Sequence, residues 1–232
     1  AELYIDLLSH DISNMNAAIR GYLELALEKM DIEEKNKQYF TKPISIIETS
    51  NRLIENVRKI QQVEGQEAKH GLIDLGWLLE DVRAEAEKYP GREVKINYKT
   101  TIKKFVVASE LLRDVFDNII SNAIKHSTGP VEISISLSKM FENGREYYKV
   151  SIEDNGPGIS DELKSKLFQR KQRGRSKTAG SGLGLFLVKK LVEDFHGLVW
   201  VEDRVPGDHT QGAKFVVMLP AVSVDGRGQV AL

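Results

Sequence analysis

The sequence of 232 residues contains no cysteine, which excludes disulfides and metal sites built from thiolates. It also lacks an excess of one charge, because 33 lysine and arginine residues face 34 aspartate and glutamate residues, for a net charge of −1. This balance favours neither nucleic acid nor an anionic membrane surface as a bulk partner. No apolar run approaches the roughly 18 residues that a membrane-spanning helix needs, and no signal peptide is evident.

The composition that is present is typical of a soluble globular protein, with 41% hydrophobic and 29% charged residues. The length predicts one or two domains. The chain starts at Ala1, without a methionine and already within a helical pattern, so we interpret it as a segment of a longer protein. We expect this segment to be cytoplasmic and to make no contact with a membrane itself.

A helical hairpin is predicted over residues 1–66, with its turn near residues 30–34. The first helix carries a heptad seam, in which apolar residues alternate at spacings of three and four. The seam consists of Ile5, Leu8, Ile12, Met15, Ile19, Tyr22 and Ala26. Pro43 is expected to bend the second helix or to remove one of its hydrogen bonds. Two helices bury little alone, which favours a homodimeric four-helix bundle over a single-chain hairpin folded against a second domain.

The pattern changes beyond a predicted linker at 67–75: residues 76–222 form the second predicted domain and residues 223–232 a loose tail. Predicted helices cover 76–88, 109–126 and 182–196, and predicted strands cover 93–98, 104–107, 131–137, 147–153, 198–203 and 213–219. Two strands alternate with period two, which predicts a sheet with one face on helices and one face open. Asn143-Gly144 predicts a hairpin turn. The expected fold is an α+β sandwich with a mixed sheet.

Two glycine clusters predict a nucleotide pocket. The segment 154–158, Asp-Asn-Gly-Pro-Gly, closes an apolar strand, and the segment 180–185, Gly-Ser-Gly-Leu-Gly-Leu, opens an apolar helix. The first offers a carboxylate for an exocyclic amine such as that of adenine, beside backbone that a ligand can approach closely. The second offers free backbone N–H groups and the positive end of a helix dipole to phosphates. The alternative for Asp154 is an ordinary turn-forming aspartate.

A polar stripe on the predicted helix 109–126 supplies groups for a metal and for phosphate. Asn118, Asn122 and Lys125 follow one another at helical spacing, while apolar residues cover the rest of the helix. An amide oxygen is a hard donor for Mg²⁺, which prefers one or two protein oxygens together with phosphates and water. The lysine adds a point charge for phosphate. The alternative is a solvated helix face.

The segment 169–179, between the glycine clusters, carries five cationic residues and no acidic residue. A lid that becomes ordered over a triphosphate accounts for this charge. The alternative is a solvated basic loop.

The segments around these residues resemble the four boxes of the ATP-binding domain shared by sensor histidine kinases, DNA gyrase, MutL and Hsp90. Residues 118–126 resemble the N box, residues 154–158 the G1 box, residues 167–168 part of the F box, and residues 180–185 the G2 box. The resemblance implies an α+β sandwich that binds ATP and Mg²⁺. It implies a metal ligand in Asn122, with Asn118 close by, and adenine recognition by Asp154. The further nucleotide contacts it implies are Lys125, His126, Gly156, Gly158, Phe168, Arg173, Gly180, Gly182, Leu183, Gly184 and Leu185.

One departure concerns the F box, in which the family has a second aromatic residue. Lys171 stands at that position here, although Arg173 keeps the arginine that follows. We therefore expect the lid to pack differently from that of the commonest family members.

A candidate nucleophile lies near the N-terminus. His10 falls outside the heptad seam and is expected to face solvent, followed directly by Asp11 and one turn later by Asn14. An imidazole with one free nitrogen is a nucleophile near neutral pH, and a neighbouring carboxylate is a natural general base. Small residues at 17, 18 and 21 leave a strip that another protein can approach. The alternative for an isolated exposed histidine is a passive surface residue.

The Ser-His-Asp sequence at 9–11, upstream of such an ATP-binding domain, resembles the H box of sensor histidine kinases. The resemblance implies that His10 accepts the γ-phosphate of ATP and passes it to an aspartate of a response regulator. It also implies that Asp11 is the general base and that Asn14 positions water for dephosphorylation of the regulator. The proline that many members have after this motif is absent, so the first helix is expected to continue without a kink. The alternatives are a non-catalytic scaffold and a gyrase-like or MutL-like ATPase clamp.

Overall fold

The computed structural model describes residues 2–65, 69–169 and 183–223 of the chain, with the side chains of the first helix from Leu8 onward. It divides into two compact units, of which one holds the two N-terminal helices and the other holds the sheet. Within the described ranges, no helix is both long enough and apolar enough to cross a membrane.

The first unit is a helical hairpin, as predicted. Helix α1 spans Glu2–Lys29 and helix α2 spans Glu34–Glu64, with Pro43 inside α2. Asn16 of α1 donates from Nδ2 to Asn51 Oδ1 at 2.7 Å and to Ser50 Oγ at 3.2 Å, so a polar layer joins the two helices. The predicted seam of α1 leaves large apolar side chains exposed in the single chain, namely Leu8, Ile12, Met15, Ile19 and Tyr22. The four-helix bundle stays a prediction, since one chain forms only half of it.

The second unit is an α+β sandwich with a mixed sheet. Its helices are α3 (Leu75–Ala86), α4 (Leu112–His126), α5 (Asp161–Lys164) and α6 (Gly184–Asp194), and its strands are β1 (Gly71–Asp74), β2 (Val94–Tyr98), β3 (Phe105–Ala108), β4 (Val131–Glu142), β5 (Arg145–Asp154), β6 (Leu198–Val205) and β7 (Asp208–Pro220). Five strands form one sheet in the order β2-β4-β5-β7-β6, and β1 pairs with β3 in a separate two-stranded sheet. Strands β2 and β4 are parallel, and the other neighbours are antiparallel.

The alternation of β4 determines which face of the sheet is buried. Val131, Ile133 and Ile135 are buried, while the intervening Glu132 and Ser134 are exposed. The inner face lies under the helices, whose apolar stripes are fully buried along α4 and α6. The opposite face was predicted to be open, but it is partly covered, because β7 is buried on both faces. Val216 and Met218 are 0% and 2% exposed there.

Register explains this burial. Trp200 of β6 is paired with Val216, Lys149 of β5 is paired with Met218, and the Lys149 ammonium lies 5.9 Å from the centre of the Trp200 ring. The long side chains of the neighbouring strands therefore cover apolar residues that would otherwise face water.

Several boundaries differ from the prediction. The predicted linker 67–75 contains β1 and the first residue of α3, because β1 is fixed by pairing Leu72 with Val107 of β3. The one-turn helix α5 was not predicted, and α4 begins at Leu112 instead of 109. The Asn143-Gly144 turn is confirmed, with φ of 49° and 79° at its two residues. Apart from Ser223, the predicted tail lies outside the described residues.

Candidate functional site

Asp154, the last residue of β5, is the buried carboxylate of the site, with 6% exposure. Its Oδ1 accepts hydrogen bonds from the backbone N–H groups of Gly156 at 2.8 Å and Ala213 at 3.3 Å. No other donor among the described residues bonds to this carboxylate. Two bonds to Oδ1 fix the orientation of the carboxylate and leave Oδ2 for a ligand that brings its own donor.

Burial raises the pKa of Asp154 above its ordinary value of 3.8, because desolvation disfavours the charged form. The hydrogen bonds from Gly156 and Ala213, and the positive charges of Arg204 and His126, lower the pKa and oppose this effect only in part. A donor on a ligand would stabilise the ionised form further. The site therefore holds a carboxylate that gains from a hydrogen-bond donor.

The backbone packs closely around this carboxylate, and three glycines make the close packing possible. A Cβ added to Gly156 would lie 2.8 Å from Asp154 Oδ1 and 3.2 Å from Ser127 Oγ. Gly158 has φ of +71°, and an added Cβ would lie 1.7 Å from the carbonyl oxygen of His209. Gly212 has φ of +98°, and its Cβ would lie 1.9 Å from the carbonyl oxygen of Asp154. Strand β7 is therefore packed directly against the backbone of the first glycine cluster.

Helix α4 carries the predicted polar stripe, and the structure places all of it on one helix. Asn118 and Asn122 are half-buried, and Lys125 and His126 are exposed. Asn118 donates from Nδ2 to the carbonyl oxygen of Asp114 at 2.7 Å, which orients its Oδ1 away from that bond. The Asn122 amide makes no hydrogen bond within the described part of the chain. Its oxygen is thus available as a ligand.

The N-terminus of α6 meets α4 at Asn118. Helix α6 begins at Gly184, and a Cβ there would lie 2.7 Å from Asn118 Oδ1. The first N–H groups of a helix have no partner within the helix and favour anions. Leu183 and Leu185, on either side of Gly184, are half-buried. The glycine therefore brings free donors and a helix dipole next to the amide stripe.

Helix α4 links this end of the site to the carboxylate. Its C-terminal residue is followed by Ser127, which is 4% exposed and donates from Oγ to the carbonyl oxygen of Ala123 at 2.8 Å. Ser127 Oγ lies beside Gly156, whereas Asn118 lies beside Gly184. Nine residues of helix separate these contacts, a distance of about 13 Å. An elongated ligand can thus reach the carboxylate with one end and the amide stripe with the other.

The remaining predicted site residues of this domain divide into two groups. Phe168 is half-buried, and its ring lies edge-on to that of Phe215 on β7, 6.4 Å away between centres. It anchors the segment before the predicted lid to the sheet, and its role as a nucleotide contact stays a prediction. The predicted lid from residue 170 onward, with Lys171 and Arg173, lies outside the described residues, and so do Gly180 and Gly182 of the second glycine cluster.

Two residues that contact Asp154 were not predicted, namely Gly212 and Ala213. A glycine within a strand often marks close backbone approach, but Gly212 lies one residue before the predicted strand 213–219, which in the structure extends to Asp208. Ala213 acts through its backbone N–H, so no side-chain pattern indicates it.

In the helical unit, His10 lies on α1 and faces solvent, with its side chain 72% exposed, as predicted. Its Nδ1 is 3.3 Å from Asp11 Oδ1, and Asn14 Nδ2 lies 3.3 Å from His10 Nδ1 and 3.4 Å from Nε2. A carboxylate at Nδ1 favours the tautomer with hydrogen on Nδ1 and a lone pair on Nε2. The three predicted residues therefore form one exposed cluster.

The sandwich and its buried acceptor, amide stripe and helix N-terminus define a nucleotide-binding domain. Comparison with known proteins agrees: residues 108–223 match the family described as histidine kinase-, DNA gyrase B- and HSP90-like ATPase. The chain belongs to this family, and its curated relatives are named as sensor histidine kinases, of whose length it spans about half.

Two curated relatives and one solved structure illustrate the similarity. The chain is 29% identical over 208 residues to histidine protein kinase SaeS of Staphylococcus epidermidis, covering 84% of this chain and 57% of SaeS. It is 25% identical over 230 residues to the histidine-protein kinase/phosphatase MprB of Mycolicibacterium paratuberculosis, covering 94% of this chain and 43% of MprB. Full-length ShkA in complex with AMPPNP shares the fold with a TM-score of 0.62 at 24% identity, over 95% of this chain and 46% of ShkA.

Proposed function

We propose that the chain is the catalytic core of its kinase, in which ATP bound by the sheet unit phosphorylates His10. One observation supports nucleotide binding by this unit. The oriented carboxylate of Asp154 lies near the C-terminal end of α4, and the N-terminus of α6 meets the same helix at Asn118. The adenine amine donates to Asp154 Oδ2. The phosphates lie along α4 toward the first turn of α6.

Asn122 is the residue that would hold Mg²⁺, assisted by Asn118. The described residues contain no group of three or more carboxylate, histidine or cysteine side chains that could form a metal cage. One or two amide oxygens suit Mg²⁺ when phosphates and water complete its shell. When bound, the ion neutralises charge on the phosphates. The residues of this chain fit that role because the amide of Asn122 is half-buried and has no hydrogen bond to the described residues.

His10 supplies the acceptor. Its Nε2 lone pair attacks the γ-phosphorus in line, the bond from that phosphorus to the bridging oxygen breaks, and ADP leaves. Asp11 accepts the proton from Nδ1, which becomes acidic as Nε2 forms its bond to phosphorus. The exposure of the imidazole supports this role, since both another domain and a regulator must reach it. Positioning and charge neutralisation supply most of the catalysis in such transfers.

Labelling with γ-³²P-ATP and Mg²⁺ tests this reaction. We expect label that is lost in acid and retained in alkali, and its complete loss in His10→Gln, which keeps a polar side chain but has no nucleophilic nitrogen. His196→Gln is the matched control, because His196 is also exposed but lies in the sheet unit. Label that persists in His10→Gln would exclude His10 as the acceptor.

The same experiment separates the two alternative functions. Bound ATP without any label indicates a non-catalytic phosphotransfer scaffold. Steady ATP hydrolysis without label indicates an ATPase clamp, for which His10 has no use.

The proposal extends to a response regulator, whose aspartate accepts the phosphoryl group from phosphorylated His10, and to a homodimer. The exposed apolar stripe of α1 supports dimerisation, because the side chains of Met15, Ile19 and Tyr22 are 64%, 51% and 76% exposed in one chain. Burying that stripe against a second hairpin would give a four-helix bundle. The small residues near Gly21, beside which nothing lies within 4 Å of an added Cβ, leave room for a regulator to approach.

Phosphatase activity toward the phosphorylated regulator is proposed for Asn14. The Asn14 amide lies over the His10 ring, where it can orient water but cannot take a proton. The relative MprB is named as a kinase/phosphatase. We expect Asn14→Ala to slow regulator dephosphorylation about tenfold, through the loss of one hydrogen bond to the water, and to change His10 labelling less than twofold. Equal loss of both activities would contradict a role in positioning water.

A further inference from the structure

A histidine–aspartate pair holds the start of the sheet unit to the end of α6. His70 Nε2 lies 2.8 Å from Asp194 Oδ2, between residues 124 positions apart in sequence. The His70 ring also meets the buried Phe195 ring edge-on, with 5.5 Å between ring centres. Both side chains are partly exposed, that of His70 at 32% and that of Asp194 at 21%. The nucleotide site described above uses neither residue.

The pair sits where the chain enters the sheet unit. Helix α2 ends at Glu64, and β1 begins at Gly71, directly after His70. Of the described residues that follow Gly65, His70 is the first whose side chain makes a tertiary contact. The connection from Gly65 to His70 is five residue steps, which can span about 17 Å at most. If the pair is broken, the first fixed point moves into β1 and the direction of the chain at Lys69 and His70 is no longer set.

Helix α6 connects this anchor to the nucleotide site. Its buried stripe, Leu187, Val188, Leu191 and Val192, is 0% exposed, so the helix is held firmly in the core. Its first residue, Gly184, contacts Asn118, and its last residue, Asp194, bonds to His70. The eleven residues of α6 span about 16 Å. The linker, meaning the connection from Gly65 to His70, is thus held to the same helix whose first turn is proposed to face the phosphates.

We propose that His70 and Asp194 are a positioning pair for autophosphorylation: they fix the point and direction at which the linker leaves the sheet unit. The inference rests on the proposed transfer from this unit to His10. A short tether with a fixed exit raises the effective concentration of His10 near the bound ATP. A longer tether that rotates freely lowers this concentration. The pair acts through the linker and does not touch ATP.

Kinetics of four variants test the pair. We expect His70→Ala and Asp194→Ala each to slow autophosphorylation at saturating ATP about fivefold, the effect of freeing roughly one backbone residue, with the ATP dissociation constant within twofold of the parent. The double variant should be no slower than either single one. His70→Gln, which keeps a donor near the Nε2 position, should recover most of the rate. His196→Asn is the control, since that exposed histidine neighbours Phe195 but is outside the pair.

Cleavage by trypsin after Lys69 gives a second readout that needs no kinase activity. We expect the fragment that begins at His70 to form faster from His70→Ala and Asp194→Ala than from the parent or His196→Asn. If the parent fails to label, the proposed function fails, whereas cleavage still tests the anchor. Parent-like labelling and cleavage in both alanine variants would overturn the inference, as would a rate loss matched by weaker ATP binding.

Discussion

Asp154→Asn is expected to weaken ADP binding about 100-fold while the domain stays folded. Asparagine keeps an acceptor for the N–H groups of Gly156 and Ala213, so the orientation of the side chain is preserved. The atom at the Oδ2 position becomes an NH₂ group, which is a donor and would face the adenine amine, itself a donor. A charged hydrogen bond is lost and two donors oppose each other in a buried site, which costs about 3 kcal/mol or a factor of roughly 100.

Inosine diphosphate is the matched ligand for this test, because it carries an oxygen where adenine carries the amine. The parent should bind ADP much more tightly than inosine diphosphate, and Asp154→Asn should lose that preference. Titration calorimetry gives both dissociation constants. Parent-like ADP affinity in the variant would remove Asp154 from adenine recognition and leave it a turn-forming aspartate.

The raised pKa of Asp154 adds a pH dependence with a defined sign. Burial makes the folded protein hold a proton on this carboxyl at a pH where an exposed aspartate is already ionised. Ionisation therefore lowers the free energy of unfolding as pH rises from the unfolded pKa, near 3.9, to the folded one. Asp154→Asn should escape this loss and be no less stable than the parent at neutral pH. ADP affinity, which needs the ionised form, should fall as the pH decreases through the raised pKa.

Those parts of the site that lie on one element could be predicted from sequence. A helical period of 3.6 is enough to place Asn118 and Asn122 on one side of α4, and an alternating strand that ends in Asp-Asn-Gly is enough to place a carboxylate at its end. Local patterns also gave the Asn143-Gly144 turn, because a positive φ at two successive residues is restricted to few residue types.

The parts that depend on distant pairing could not be predicted. Ala213 donates to Asp154 from 59 residues away, and only the register between β5 and β7 brings them together. Helix α5 is a single turn held by ion pairs, among them Lys164 with Asp203 at 2.5 Å, and four residues carry too little periodicity to be recognised. Strand β1 is equally short and owes its conformation to β3.

Gly212→Ala is expected to lower the free energy of unfolding by about 3 kcal/mol, because two costs combine. The residue has φ of +98°, which is unfavourable for any side chain, and the new Cβ would lie 1.9 Å from the carbonyl oxygen of Asp154. To relieve the contact, β7 must move away from the end of β5. That movement weakens the bond from Ala213 to Asp154, so ADP affinity should fall as well.

Gly207→Ala separates these two costs. Gly207 has φ of +81°, close to that of Gly212, but nothing lies within 4 Å of its added Cβ. The free energy of unfolding of Gly207→Ala should therefore decrease only by the cost of a side chain at positive φ, about 1 kcal/mol, and its ADP affinity should stay parent-like. Urea unfolding and calorimetry of the two variants measure the difference. If both variants lose the same stability and both bind ADP as the parent does, the close contact between β7 and Asp154 does not shape the site. A larger loss in Gly212→Ala, accompanied by weaker ADP binding, would tie the adenine-binding carboxylate to a glycine on another strand.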